Sequence, residues 1–305
     1  MMPASHGSAA GESDGGAIGR FPLGPEATLG WSYGIVVVTL IAVHVTCFSV
    51  GHTVREICLR IKENDLYRGL GIDESKVCND RLPTISYMGV LMPEQAIFSA
   101  GLSLAALIAM VAHAQLGALL LKQLQGSPSG DVITKSPPLL RRIPSVFGSG
   151  EQQLSEYASR TARIGQASFF CLILTACVSM KHQLLVHGFC AFLFFVSAVM
   201  HLFRMYTIQH SMIECRIVVD RRFDQSYRLK DICIRTSLVL LAAGVVGYAA
   251  FRFTTYQLYL YTLAGPIAEY VTVLWLMVGY SSYYMDILVL GRSYRQEGDG
   301  DHPYV

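Results

Sequence analysis

The stretch that decides the fold runs from Ala96 to Leu121 and reads AIFSAGLSLAALIAMVAHAQLGALLL, without a charged residue. A helix needs about 20 mainly apolar residues to cross the roughly 30 Å of bilayer hydrocarbon, and this segment is long enough. Its apolar residues surround the helix on nearly every side, whereas a helix of a soluble core usually keeps a polar face. The segment therefore predicts a transmembrane helix.

Five other stretches have the same character, and the chain as a whole is 52% hydrophobic and only 15% charged. Lipid offers unpaired backbone groups no partner, so a helix is expected for each stretch. The predicted spans are 31–50, 96–121, 164–180, 183–204, 232–251 and 263–290. Only Lys181, His182 and their neighbours join the third span to the fourth, which predicts a tight antiparallel hairpin. The predicted fold is all-α, a polytopic membrane protein with a bundle of six transmembrane helices.

Basic residues in the loops predict the orientation of the bundle. The loop 122–163 has six basic and three acidic residues, and the segment 204–235 has seven basic and four acidic residues. Cytosolic loops carry an excess of Lys and Arg, so both are predicted to be cytosolic. The tails 1–30 and 291–305 then lie in the cytosol too. Residues 125–153 are rich in Pro, Gly and Ser and predict a flexible linker.

Several function classes find no support in the sequence. The net charge is +2 and no run rich in Lys or Arg occurs, which argues against a nucleic-acid partner. No Cys/His spacing of the metal-binding kind and no cofactor or hydrolase motif is present, so no metal, cofactor or catalytic residue is predicted. Cys58 and Cys78 lie in the loop predicted to be exoplasmic, where an oxidising compartment would allow a disulfide.

Ionisable side chains within the spans are costly, and they are the candidates for a site. Glu94, Glu269 and His187 fall near the predicted exoplasmic end. Carboxylates there could contact a lipid headgroup, bind a cation, or cap helix N-termini, and capping or structural pairing is the favoured interpretation. Asp286 falls near the cytosolic end and is expected to be solvated or paired with a basic residue such as Arg292. Each histidine in a span, taken alone, is more often an interhelical hydrogen-bond partner than a catalyst.

Two segments of the chain carry a motif pattern. The first precedes and opens the second span, with Pro83, Ile85, Ser86, Gly89, Pro93, Glu94 and Phe98. The second opens and closes the sixth span, with Ala268, Glu269, Tyr270, Tyr283 and Asp286. In order and spacing these residues resemble the motifs of the Frag1/DRAM/Sfk1 family, in which Asp is usual at the position of Tyr87. A short hairpin followed by His187-Gly188, with Gln209 further on, also fits this family.

The resemblance implies a six-helix protein of the plasma membrane or of endomembranes such as the Golgi or lysosome, without distinguishing among them. Relatives are linked to lipid remodelling of glycosylphosphatidylinositol anchors, autophagy modulation, phosphoinositide kinase recruitment and lipid asymmetry. The leading hypothesis is a non-enzymatic accessory or scaffold protein with membrane lipids and another membrane protein as partners. The alternative is a lipid remodelling or lipid-asymmetry factor that acts on a headgroup at the exoplasmic face. A channel or transporter is the least favoured, because the spans carry few charges.

Overall fold

The computed structural model describes residues 25–50, 85, 92–125, 150–214, 216–253 and 258–298. This part of the chain forms six helices: α1 (Pro25–Val50), α2 (Glu94–Gln125), α3 (Gly150–Cys177), α4 (Met180–Glu214), α5 (Arg221–Phe253) and α6 (Leu258–Gly298). Four stretches of the described helices are long and apolar enough to cross a membrane: Ala27–Thr46, Glu94–Leu124, Leu185–Glu214 and Glu269–Arg292. The predicted all-α polytopic membrane bundle is confirmed. The cytosolic placement of the termini stays a prediction.

α3 and α5 differ from the other four because each begins with polar and charged turns. α3 starts at Gly150, before the predicted third span, so residues 150–153 of the predicted linker belong to this helix. Arg160 and Arg163 precede the apolar part of this helix, which ends at Cys177. The remainder of the linker, 126–149, lies outside the described residues.

Neighbouring helices run antiparallel, as their hydrogen bonds show. Ser32 on α1 donates to the carbonyl of Ala105 on α2 at 2.9 Å. Ser99 on α2 donates to the carbonyl of Ala176 on α3 at 2.5 Å. Tyr227 near the start of α5 is bonded to Tyr206 near the end of α4, and Lys230 is bonded to Asp286 in the second half of α6. The starts of α1, α3 and α5 therefore share one end of the bundle with the ends of α2, α4 and α6. We call this the basic end, because Arg216, Arg221, Arg222 and Arg228 lie there, and we call the other the opposite end.

The α3–α4 connection is the predicted tight hairpin, with its turn slightly earlier than expected. α3 ends at Cys177 and α4 starts at Met180, so Lys181 and His182 belong to the first turn of α4. Gln183 has non-helical dihedrals (φ −141°, ψ 56°) and kinks this helix. The amide of Gln183 still donates to the carbonyl of Ser179 at 3.0 Å, which keeps the first turn closed.

Small residues bring α1, α2 and α3 close together. A Cβ atom on Gly117 of α2 would lie 2.8 Å from the Cβ of Ala162 on α3, and a Cβ on Gly101 would overlap the side chain of Thr39 on α1. Ala105 is 1% exposed and its carbonyl accepts from α1. The small-residue pair Gly101 and Ala105 thus lets α1 and α2 pack at short range, as such pairs do in membrane bundles.

Candidate functional site

The three predicted site residues share the opposite end of the bundle. Glu94 lies in the first turn of α2 and is 1% exposed. A carboxylate in that position is stabilised by the helix dipole, which fits the capping interpretation. Glu269 lies in the first half of α6 and is half-buried. His187 is buried, and its Nδ1 donates to the carbonyl of Val178 at 2.8 Å, which ties α4 to the end of α3.

Tyr270 of the motif that opens the sixth span joins α6 to α1. The Nδ1 of His44 lies 2.6 Å from the carbonyl of Leu40, which can only accept, so Nδ1 carries the proton. The Nε2 atom then accepts from the hydroxyl of Tyr270 at 3.1 Å. His44 is therefore an interhelical hydrogen-bond partner, as predicted for the histidines of the spans.

An apolar cavity of about 120 Å³ lies between α1, α2, α3, α4 and α6. Its walls include Leu40, Phe98, Leu172 and Phe195, and Glu269 contributes a carboxylate. Ile85 and Phe98 of the first motif segment are buried and line the same cavity. The first motif segment, through Ile85 and Phe98, and the second, through Glu269, therefore line the same apolar cavity.

Some predicted residues fall outside the described parts of the structure. These are the motif residues Pro83, Ser86 and Gly89, the side chain of Ala268, and the cysteines of the predicted disulfide, Cys58 and Cys78.

Asp286 pairs with a basic residue, as one of the two expectations had it, but the partner is Lys230 and not Arg292, and the side chain is not solvated. The Asp286 side chain is fully buried, and its Oδ2 accepts from the Nζ of Lys230 on α5 at 2.7 Å. Its Oδ1 accepts from Nε2 of Gln209 on α4 at 2.6 Å. Arg292 lies six residues further along α6 and is exposed. α5 packs against α6 at the level of Asp286, so the cation comes from another helix.

The Lys230 ammonium has a complete set of partners. It donates to Oγ of Ser226 at 2.6 Å, and Ser226 in turn donates to the carbonyl of Ser282 at 3.0 Å. The nitrogen also lies 4.6 Å from the ring centroid of Tyr283, within cation–π range. Charges in a low-dielectric interior persist when they are paired and hydrogen-bonded, and this arrangement meets both conditions.

The sequence interpretation missed Lys230, which it counted only as one of the basic residues of a loop. The spacing of the polar residues along α5 and α6 was nevertheless informative. Ser226 and Lys230 are four residues apart, so they share a helix face. Tyr283 and Asp286 are three apart on α6 and share a face as well. Two matched polar pairs on adjacent helices are compatible with a buried contact, although sequence spacing does not orient the two faces toward each other.

A second buried polar cluster joins α2, α3, α4 and α6. The Nδ1 of His201 lies 2.9 Å from the carbonyl of Thr161, so it must be the donor. The Nε2 of His201 then accepts from Nδ1 of His113, at 3.1 Å. The ring of His113 packs edge-on against Tyr280 and Tyr283 at 5.5 and 5.0 Å between centroids. Both imidazoles serve as neutral interhelical hydrogen-bond partners.

The basic end is further organised by aromatic side chains. Tyr206 and Tyr227 stack with centroids 4.6 Å apart, and their hydroxyls are hydrogen-bonded at 2.9 Å. Burial raises the pKa of Tyr227, and the hydrogen bond to Tyr206 adds to the shift. The guanidinium of Arg204 lies 4.5 Å from the ring centroid of Tyr157, whose pKa is raised chiefly by burial. Both tyrosines therefore stay protonated at neutral pH and act as packing groups.

Among the described residues, no group of three or more His, Cys, Asp or Glu side chains could hold a metal ion. No curated protein and no solved structure matches the chain. The family model described as "Frag1/DRAM/Sfk1/Cwh43P N-terminal domain" matches residues 31–288. That range runs from the first turns of α1 into the last turns of α6 and includes both motif segments. The chain therefore belongs to the Frag1/DRAM/Sfk1/Cwh43 family of membrane proteins.

Proposed function

We propose that the protein is a non-enzymatic membrane accessory protein that organises or stabilises a larger membrane complex and responds to lipid. The proposal rests on one observation: the buried polar side chains form hydrogen bonds between helices. Asp286, Lys230 and Gln209 tie α4, α5 and α6 together, and His113 and His201 tie α2 to α4. Interhelical hydrogen bonds of this kind hold the packing of the helices against one another.

A rigid bundle supports a scaffold role because it presents a fixed surface, and such a surface lies between α4 and α5. Arg216 adopts a left-handed conformation (φ 54°) in this connection, and Val219 is 85% exposed. Arg221 and Arg222 follow at the exposed start of α5. The carboxylate of Asp220 accepts from the amide of Arg222 at 2.6 Å, so it serves as the helix cap. The arginines and the exposed valine suit an acidic segment of a partner protein.

Replacing Arg221 and Arg222 together by Gln should reduce recovery of the partner. Each surface contact contributes about 0.5 to 1 kcal/mol, so two correspond to about a 5- to 30-fold weaker complex. Tagged protein purified from native membranes, with partner yield measured by quantitative mass spectrometry, tests this.

The matched control is Arg160→Gln with Arg228→Gln, since these side chains already pair with Glu156 and Asp224 on their own helices. The control should retain the partner. A wild-type chain that purifies alone from native membranes would contradict the scaffold proposal.

The second candidate function is direct work on a lipid headgroup, and it is favoured by the polar groups at the opposite end. Glu94 is nearly inaccessible at the start of α2, and Glu269 lies beside the apolar cavity. A carboxylate beside an apolar space suits a lipid that has an amine or hydroxyl headgroup above an acyl chain.

For this function, Glu94→Gln combined with Glu269→Gln should abolish the protein's effect on cellular lipid composition. Glutamine keeps the shape of each side chain and removes the charge, so protein abundance should stay the same. Lipidomics of cells that express the variant, compared with cells that express Glu156→Gln, gives the measurement. A lipid profile identical to wild type would exclude a headgroup role for these two residues.

A further inference from the structure

The cavity has the depth of one bilayer leaflet. Along α2 its walls extend from Phe98 to Ala109, which is about 16 Å at about 1.5 Å per residue. The hydrocarbon core of a bilayer is about 30 Å thick, so this depth is about half of it. Glu269 and Ile85 lie toward the opposite end of the bundle, and Tyr280 lies deeper along α6. The space thus starts near a bundle end and finishes near the level of the bilayer midplane.

The size and the lining of the cavity suit a narrow apolar ligand. Its volume of about 120 Å³ is similar to that of an engineered protein cavity of about 150 Å³ that binds benzene. That is room for part of one hydrocarbon chain and too little for a whole lipid. The walls are almost entirely aliphatic and aromatic, with Ala105 and Ala106 making space on α2. In a bilayer, the chains of the surrounding lipids are the apolar molecules present at high concentration.

The carboxylate charge of Glu269 limits which class of lipid can bind in the cavity. A free fatty acid would bring its carboxylate toward the carboxylate of Glu269, and like charges in a region of low dielectric repel. A zwitterionic phospholipid has no net charge, and its cationic amine can approach Glu269 and offset the charge of its own phosphate.

We infer that this cavity binds an acyl chain of a zwitterionic bilayer phospholipid whose headgroup lies at the opposite end, beside Glu269. The inference rests on the lipid-responsive part of the proposed function and gives it a site.

The test uses the purified full-length chain in vesicles that contain phosphatidylcholine with a diazirine near the end of one acyl chain. After irradiation, labelled peptides are mapped by mass spectrometry. The expected labels fall on cavity residues of three helices, such as Leu172, Phe195 and Met277. Ala105→Phe fills the cavity and should reduce these labels at least fivefold. Ala114→Phe, at an exposed position of the same helix, should leave them unchanged.

Ala191→Phe is a second filling variant, because Ala191 lines the cavity from α4 and is only partly buried, so its helix tolerates a larger side chain. Wild-type labels confined to outward-facing residues would overturn the inference. Undiminished cavity labels in a folded Ala105→Phe or Ala191→Phe variant would also overturn it. Stronger labelling by a diazirine fatty acid than by the phospholipid would overturn the choice of ligand.

The labelling requires no partner protein, so it separates the two proposals. Normal cavity labelling in a chain that recovers no partner would remove the scaffold function and leave the lipid site. Partner recovery without cavity labelling would remove the lipid site and leave the scaffold function.

Discussion

Lys230→Met should lower the free energy of unfolding by about 3 to 5 kcal/mol, a large effect for a single substitution. Methionine has a similar length and removes the charge. Among the described residues, the fully buried carboxylate of Asp286 then keeps Gln209 as its hydrogen-bond donor. A buried charge without its partner retains its desolvation penalty and loses the attraction that offset it. The α5–α6 contact should loosen first, since the ion pair joins these helices.

Adding Asp286→Asn to Lys230→Met should restore most of the lost stability. The double variant has no buried charge, and the asparagine oxygen still accepts from Gln209. Unfolding of the single and double variants in detergent, followed by a thermal or denaturant scan, gives the interaction free energy of the pair. Purely additive effects would show that the two side chains do not stabilise each other.

Arg228→Met provides the matched control on the same helix. Its ion pair with Asp224 is exposed, with 74% and 42% of the two side chains accessible. Exposed pairs contribute about 0 to 1 kcal/mol, so this variant should unfold close to wild type. A loss as large as that of Lys230→Met would mean that burial is not the origin of the effect.

Gly165→Ala should also destabilise the protein, with a loss of about 1 to 3 kcal/mol from overpacking. A Cβ atom at this position would lie 2.7 Å from Cε1 and 3.0 Å from Nδ1 of His201. That imidazole is hydrogen-bonded on both sides, to Thr161 and to His113, so it has no freedom to move away. α3 and α4 must therefore separate, or the two hydrogen bonds must break.

Gly188→Ala is the appropriate comparison, because a Cβ atom there meets nothing within 4 Å. Alanine is favoured over glycine in a helix interior by roughly 0.5 to 1 kcal/mol, so this variant should be slightly more stable than wild type. Thermal scans of both variants under identical detergent conditions make the measurement. Equal stability of the two variants would show that the imidazole of His201 yields to the extra carbon.

The sequence by itself determined the six-helix architecture, the hairpin between the third and fourth spans, and the family. These follow from local properties, because hydrocarbon thickness sets the length of each apolar stretch and a connection of a few residues forces neighbouring helices to run antiparallel. The first motif segment also indicated residues that lie together in the structure, because Ile85 and Phe98 line the same cavity.

Only the tertiary structure decided which polar groups meet. Lys230 and Asp286 are far apart in the chain, as are His113 and His201, and their pairing depends on how each helix is rotated about its axis. Hydropathy reports the length of a helix and not its rotation, because a helix that is apolar on all sides has no preferred face. The sequence therefore predicted solvation or a basic partner for Asp286 and offered Arg292 of the same helix as an example, whereas the packing of α5 against α6 supplies Lys230.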